Sequence, residues 1–263
     1  MIKFEIYDRP GKYLNQNELE SLHEEILSVA HECLDEIPHY QCLTGLRSEY
    51  ERLIIAVGRS KNGKILGFCS SYILDGQEMG NILHLGLTCV LPLARRMGLT
   101  HKLTGKVVMT YLTRYSLFKK AWISNVACVL SSLGNVALHF EDVYPSPFML
   151  RPTEEQVQVA RLINENFRWE LYINKEATFN EEKFVFERSV IGTMFEKSES
   201  DKKYYHRDMG LTQFYLNRID FENGDEVLQI GQVSLLTFPK YLLKSFKRKF
   251  GKTNILRPGQ TVA

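Results

Sequence analysis

The chain has 263 residues, of which 44% are hydrophobic and 24% are charged. These are the proportions of a globular protein, and they exclude a peptide hormone, a disulfide-stapled miniprotein and an intrinsically disordered chain. Lys and Arg number 33 against 31 Asp and Glu, giving a formal net charge of +2. This near-balance argues against a dedicated nucleic-acid-binding protein, because such proteins usually carry a strong basic excess.

The cysteines and the N-terminal residues indicate the compartment. The five cysteines are odd in number and scattered, and no two of them have the Cys-x-x-Cys spacing. We therefore expect reduced thiols and a cytoplasmic protein. Residues 1–9 contain acids and bases where a signal peptide needs an apolar run, and no stretch approaches 18 apolar residues. The sequence thus predicts neither secretion nor a membrane span.

The first part of the chain alternates between the periodicity of strands and that of helices. Apolar residues at steps of three and four predict an amphipathic helix that ends at Pro38, and its outer face is acidic. Further on, Asn62-Gly63 between two apolar runs predicts a tight β-hairpin. The predicted elements are a strand over residues 2–7, a helix over 19–37, strands over 53–57, 64–74 and 82–90, and a helix over 100–118.

The second part begins with a similar alternation and then becomes harder to interpret. The prolines of residues 144–147 break the chain, so we place a domain boundary near residue 150. Thr153-Glu154-Glu155-Gln156 matches a capping box and predicts a helix start. The predicted elements are a strand over 121–130, a turn over 131–134, a short helix over 135–143, a helix from 153 to 167, strands over 184–190, 211–219 and 227–236, and a last helix over 239–250.

The residues that carry the most chemical information follow the strand over 82–90. There a strand ends, two arginines and a glycine follow, and a helix begins. The first N–H groups of a helix lack internal partners and, with the positive end of the dipole, bind phosphate. Gly98 would let the backbone approach an anion closely. Positive charge is added nearby by Arg95, Arg96, Lys102 and Lys106.

This segment resembles the acyl-CoA signature of the GNAT superfamily of N-acyltransferases, Arg/Gln-x-x-Gly-x-Gly/Ala. Here it is Arg95-Arg96-Met97-Gly98-Leu99-Thr100, with Thr100 in place of the final small residue. The predicted order of elements over residues 1–150 is also similar to the core of that family. The resemblance implies an α+β fold, with a mixed, mostly antiparallel sheet flanked by helices.

The resemblance also implies an activity and a division of the chain. Family members move an acyl group directly from acyl-CoA or acetyl-CoA to a primary amine, here of a small molecule or peptide, without a covalent enzyme intermediate. The sequence itself contains no metal-binding motif, so no metal is expected. Residues 1–150 would be the acyl-CoA-binding core. Residues 151–252 would be an α+β extension that shapes the acceptor or acyl pocket. Apart from the resemblance, the sequence predicts a disordered tail over residues 253–263.

Individual roles follow from the same resemblance. The backbone at Cys89 and Val90 would hydrogen-bond the pantetheine arm of CoA, and the N–H groups from Arg96 to Thr100 would hold the pyrophosphate. Asn135 stands where the family often has Asn at the start of a short helix. Phe140 occupies the position where the family often has Tyr, so Tyr144 becomes the candidate that protonates the departing thiolate.

The acceptor amine needs a general base. An alkyl ammonium with a pKa near 10.4 is neutral in only about one molecule in 2,500 at pH 7, so a base must remove its proton. His84, on the strand leading to the signature, and Glu78, in the turn before it, are the candidates, acting directly or through a water. The alternative for His84 is a structural residue with its hydrogen bonds satisfied.

The C-terminal charge distribution leaves further alternatives open. Residues 240–252 carry six basic groups and no acid, so the remainder of the chain has a net charge of −4. The basic helix over 239–250 could pack within the chain or in a homodimer, or lie on an anionic membrane surface. Because the family Tyr is missing, a catalytically inactive GNAT-fold binding module is the alternative to an enzyme.

Overall fold

The computed structural model of the chain describes residues 2–95 and 97–236. The chain divides into two units, residues 1–117 and 118–263. Each unit combines helices with antiparallel strands, which confirms the predicted α+β class. Three predicted features, Arg96, the basic helix over 239–250 and the tail over 253–263, lie outside the described residues.

The first unit is a four-stranded antiparallel sheet in the order β1-β2-β3-β4, accompanied by helices. The predicted strand over 82–90 is confirmed at both ends, because β4 covers Ile82–Val90. The elements are β1 Lys3–Asp8, α1 Gln16–His31, α2 Arg47–Tyr50, β2 Leu53–Arg59, β3 Ile65–Leu74, β4 Ile82–Val90 and α3 Leu99–Tyr115.

Local chemistry explains the start and end of α1 and the turn of the hairpin. Asn15 and Glu18 form a capping box at the start of α1. The helix ends earlier than predicted because the N–H groups of Cys33 and Leu34 both turn back onto the carbonyl of Ala30. The β2–β3 hairpin is confirmed, and Gly63 supplies the positive φ of 86° that its turn requires.

The second unit is built around β9, which pairs with β5 on one side and with β6 and β8 on the other. Strand β7 completes the edge by pairing with β8. The elements are β5 Ala121–Ala127, α4 Leu130–His139, β6 Glu141–Tyr144, α5 Glu154–Asn166, β7 Thr178–Asn180, β8 Val185–Glu187, α6 Met209–Leu216 and β9 Glu226–Val233.

Three predictions for this unit are wrong. The predicted turn over 131–134 is part of α4, which ends at His139, and residues 141–144 form a strand rather than the end of a helix. The predicted strand over 211–219 is instead helix α6. The segment is helical for two reasons. Asp208 caps the helix by accepting hydrogen bonds from the N–H groups of Gly210 and Leu211. Leu211 and Tyr215, four residues apart, lie on one face of the helix and are fully buried.

The predicted extension lies within the second unit. Residues 145–225 connect β6 to β9 and include β7 and β8, which belong to the same sheet, and β6 and β9 are paired with each other. The predicted capping box at its start is confirmed, since Thr153 and Gln156 exchange both hydrogen bonds. The boundary near residue 150 therefore falls inside this unit, because strands on both sides of it share one sheet. The functional division at that position stays a prediction.

No helix among the described residues combines the length and the apolar character that crossing a lipid bilayer requires.

Candidate functional site

Strand β4 carries a β-bulge at its middle. Cys69 of β3 lies opposite Thr88, but Ser71 lies opposite Leu85, so Ser70 faces both Gly86 and Leu87. The first half of β4 is buried, whereas Gly86, Leu87, Thr88 and Val90 are half-buried and only Cys89 is fully covered. Beyond the bulge the strand therefore has surface that a ligand could reach.

The turn after β4 ends in an uncapped helix. Gly98 is the N-cap residue of α3 and has the left-handed conformation, with φ 67°. Among the described residues, no side chain caps α3 and its first turn contains no acid, whereas α1 and α5 begin with capping boxes and acidic residues. The positive end of the α3 dipole is thus left for an external anion.

The surroundings of Gly98 suit an anion in shape and charge. Among the described residues beyond its chain neighbours, none has an atom within 4 Å of a Cβ atom built on Gly98, so the space above the turn is open. Arg95, Lys102 and Lys106 are exposed, and the Lys106 ammonium lies 6.0 Å from the centre of the Phe4 ring. One continuous strand, turn and helix carries the predicted site residues Cys89, Val90, Arg95, Met97, Gly98, Leu99 and Thr100.

His84 lies on β4 two residues before the bulge. Its side chain is 1% exposed, and desolvation by burial lowers its pKa to about 3. The imidazole is therefore neutral at pH 7 and is a weak base. These properties favour a hydrogen-bonding role, and the assignment as direct proton acceptor stays a prediction.

Beside His84 lies a polar group that the sequence analysis missed. His84 is directly opposite Tyr72 of β3, so the two side chains share a face of the sheet. The Tyr72 hydroxyl donates a hydrogen bond to the carboxylate of Glu49, a half-buried residue of α2. No motif could have revealed this contact, because the three residues come from separate elements.

Glu78, the second candidate base, is exposed in a short turn, Gln77–Met79, that precedes β4. It therefore lies at the opposite end of β4 from the Gly98 turn, and a nine-residue strand spans about 25 Å. This separation argues against a direct contact between Glu78 and a group bound near Gly98.

Two predicted site residues belong to the second unit. Tyr144 lies on β6, is 5% exposed, and donates its hydroxyl to the carbonyl of Glu182 at 3.4 Å. Its ring packs edge-on against Phe184. Asn135 is a half-buried residue in the middle of α4 rather than at its start, and Phe140 is buried at the end of that helix.

All five cysteines are free, and four are buried. The exception is Cys33, a half-buried residue just after α1. A hydrogen bond from the Cys89 thiol, assisted by the positive charge of Arg95, lowers the pKa of Cys33 to about 7. The same contact, together with burial, raises the pKa of Cys89. Cys33 is thus the thiol that ionises first.

At pH 7.5, Cys33 should react with iodoacetamide before the four buried cysteines, because the thiolate is the reactive form. Peptide mass spectrometry after brief alkylation measures the order of modification. Replacing Cys89 with Ala should slow the reaction at Cys33 by roughly tenfold, because the thiolate loses its hydrogen bond. Faster modification of any other cysteine in the wild-type protein would contradict the assignment.

Comparison with known proteins gave matches only among solved structures. No family model and no curated protein matches the chain. The similar structures include acetyltransferases. An aminoglycoside acetyltransferase from an uncultured soil metagenomic sample, in complex with trehalose, is 21% identical with a TM-score of 0.32, and the match covers 43% of this chain and 71% of that one.

Two further matches come from named organisms. A ribosomal-protein-alanine N-acetyltransferase from Brucella melitensis biovar Abortus 2308 is 15% identical with a TM-score of 0.30, covering 44% of this chain and 76% of that one. The NAA60 protein of Arabidopsis thaliana, in complex with acetyl-CoA, is 12% identical with a TM-score of 0.33, covering 48% and 75%.

Proposed function

We propose that the chain is a GNAT-type N-acyltransferase that moves an acyl group from acyl-CoA to a primary amine. The observation that carries the proposal is the segment from the β4 bulge to the start of α3. It joins a half-buried strand to an uncapped helix N-terminus at Gly98, with exposed basic side chains around it. This arrangement suits a long ligand with an amide-bearing arm and a phosphate-rich end, which is the chemistry of CoA.

The residues of the segment would divide the binding of CoA between them. The N–H groups of the first turn of α3 would hold the pyrophosphate, and Arg95 and Lys102 would supply formal positive charge. The backbone of Cys89 and Val90 would hydrogen-bond the pantetheine arm. Both groups lie on one continuous stretch of chain, so a bound CoA would follow it from the helix back along β4.

Transfer would proceed by direct attack within a ternary complex. The acceptor ammonium loses one proton to the base, and the resulting amine attacks the thioester carbonyl to form the C–N bond. The C–S bond then breaks, the nitrogen loses its second proton, and the CoA thiolate takes up a proton, so that one proton is released overall. We assign proton removal to the group formed by Glu49, Tyr72 and His84. Glu49 is the half-buried member, so it is the one that can pass the proton to solvent.

The remaining predicted roles carry over as proposals. Tyr144 stays the candidate that protonates the thiolate, and to do so its hydroxyl must release the carbonyl of Glu182. We place the activity in the cytoplasm, where reducing conditions keep the free cysteines as thiols. The acceptor is a primary amine of a small molecule or peptide.

A pair of glycine variants tests the CoA site. Gly98 and Gly63 both have positive φ, 67° and 86°, and a Cβ atom at either would lie more than 4 Å from every other part of the chain that the structure describes, chain neighbours aside. Gly98→Ala and Gly63→Ala should therefore cause a similar loss of stability from backbone strain. Only Gly98→Ala should weaken acyl-CoA binding, because its added Cβ would keep the phosphate away from the N–H groups of the turn. The expected loss is about tenfold or more, as for one lost hydrogen bond to a charged group.

Binding is measured as the rise in melting temperature with saturating acyl-CoA, from acetyl-CoA to palmitoyl-CoA. An unchanged melting temperature of the wild-type protein across this series would overturn the proposal. If acyl-CoA raised the melting temperature of Gly98→Ala and Gly63→Ala equally, the Gly98 turn would not be the site that binds the phosphates. Release of CoA thiol with amine acceptors then tests catalysis, and binding without turnover would identify a non-catalytic module.

A further inference from the structure

Gln41 is a buried polar residue in a strained part of the backbone. It lies in the connection between α1 and α2, is 1% exposed, and has a φ of 50°. Its Oε1 accepts hydrogen bonds from the Ser70 hydroxyl at 2.5 Å and from the Leu87 N–H at 3.3 Å. Its Nε2 donates to the Tyr40 hydroxyl at 2.9 Å. The amide thus reaches the bulge of β4 and satisfies an N–H group there.

Gly86 is the residue that makes room for this amide. A Cβ atom on Gly86 would lie 2.0 Å from Nε2 and 2.3 Å from Oε1 of Gln41. The amide therefore packs directly on the backbone of the bulge, and a side chain at position 86 would displace it.

The loop that carries Gln41 is held from two helices. The Tyr50 hydroxyl of α2 donates to the carbonyl of Cys42 at 2.7 Å. His23 of α1 has its Nδ1 3.1 Å from the same carbonyl and 3.1 Å from the Tyr50 hydroxyl. These contacts fix the residue next to Gln41, so the strained backbone at Gln41 is maintained by its surroundings.

The bulge decides which way the end of β4 faces. In a regular strand His84 and Thr88 would share a face, because successive side chains alternate. Here Thr88 is opposite Cys69, whose Sγ lies 3.9 Å from Thr104 Oγ1 of α3, whereas Cys89 meets Cys33 after α1. The bulge thus shifts the alternation by one residue between His84 and Thr88.

We infer that Gln41 is a positioning residue for acyl transfer: its amide holds the β4 bulge and so sets the direction of the backbone groups of residues 87–90. The inference rests on the proposed function, in which those groups hold the pantetheine arm and place the thioester. Gln41 would act through its contacts with β4 at Gly86 and Leu87, without touching the substrates.

Three variants test the inference. Gln41→Leu keeps the volume and removes the hydrogen bonds, Gln41→Glu keeps an acceptor for Ser70 and Leu87, and Gln77→Leu is the control. Gln77 is an exposed residue away from the bulge, and its φ of 54° is close to that of Gln41. Gln77→Leu therefore measures the effect of placing Leu in this backbone conformation without disturbing the bulge. Gln41→Leu should lower kcat about 100-fold, as a small misplacement of reacting groups does.

The pattern across the variants separates positioning from general stability. Gln41→Glu should recover most of the lost kcat, the KM for the amine should stay constant, and Gln77→Leu should match the wild type. Amide exchange of Leu87, followed by NMR, should accelerate at least tenfold in Gln41→Leu, while the β2–β3 amides keep their protection.

Each result decides a different statement. Unchanged exchange at Leu87 in Gln41→Leu overturns the role of Gln41 at the bulge. Faster exchange with unchanged kcat and KM overturns the positioning role. If the wild-type protein neither binds nor turns over acyl-CoA, the proposed function and the positioning role are both overturned. Faster exchange of the Leu87 amide in Gln41→Leu would in that case still identify Gln41 as the residue that holds the bulge.

Discussion

Lowering the pH from 6.5 to 4 should destabilise the first unit by about 3 kcal/mol through His84 alone. Burial lowers the pKa of His84 to about 3 in the folded protein, against about 6.5 in an unfolded chain. Between these values the unfolded chain binds a proton that the folded chain does not. The contribution is therefore complete above pH 6.5 and is lost as the pH falls towards 3.

Urea unfolding at a series of pH values, followed by far-ultraviolet circular dichroism, measures this effect. His84→Gln removes the titrating group, so its free energy of unfolding should fall less steeply on acidification than that of the wild type. His31→Gln is the matched control, because His31 is an exposed residue of α1. Parallel pH curves for the wild type and His84→Gln would show that His84 is not the buried imidazole described here.

Raising the pH from 4.5 to 7 should destabilise the second unit by about 3 kcal/mol through Glu226. Burial raises the pKa of Glu226 to about 7, although a hydrogen bond from Ser189 at 2.6 Å and the positive charge of Lys197 oppose the shift. The folded state therefore keeps a proton that the unfolded chain loses in this range. The stability of the folded state therefore falls with rising pH through Glu226, whereas it rises with pH through His84.

Tryptophan fluorescence can follow this transition selectively, because both tryptophans of the chain, Trp122 and Trp169, belong to the second unit. Trp122 lies on β5 opposite Gln232 of β9, the strand that begins with Glu226. Glu226→Gln should be more stable than the wild type above pH 7, and its free energy of unfolding should no longer decline as the pH rises from 4.5 to 7. Glu222→Gln, at an exposed carboxyl nearby, should keep it. A wild-type decline that survives in Glu226→Gln would contradict the assignment.

The sequence predicts the first unit more closely than the second, for a physical reason. In the first unit each strand pairs with the next one along the chain, so periodicity and turn residues such as Gly63 specify the arrangement. In the second unit β5 pairs with β9, whose position no local pattern can reveal. Helix α6 was missed because its short apolar run fits a strand equally well, and only its cap and burial distinguish the two.

The same distinction applies to the candidate site. The basic residues and Gly98 lie on one short segment, so the sequence predicts them as a unit and the structure places Gly98 at the helix start. The hydrogen bonds of Gln41 to Ser70 and Leu87, and of Tyr72 to Glu49, join residues more than 20 positions apart. Such contacts depend on the folded sheet and have no counterpart in the linear pattern.

The pairing of β5 with β9 also has a consequence during synthesis. Residues 121–127 meet their partners at residues 227–233, about a hundred positions later, and a ribosome adds roughly 5 to 20 residues per second. Strand β5 therefore leaves the ribosome about 5 to 20 seconds before β9 exists. In that interval the four strands of the first unit can already associate, whereas β5 waits without its β9 partner, and a nascent chain stalled in the segment before β9 would expose it to chaperones or to aggregation.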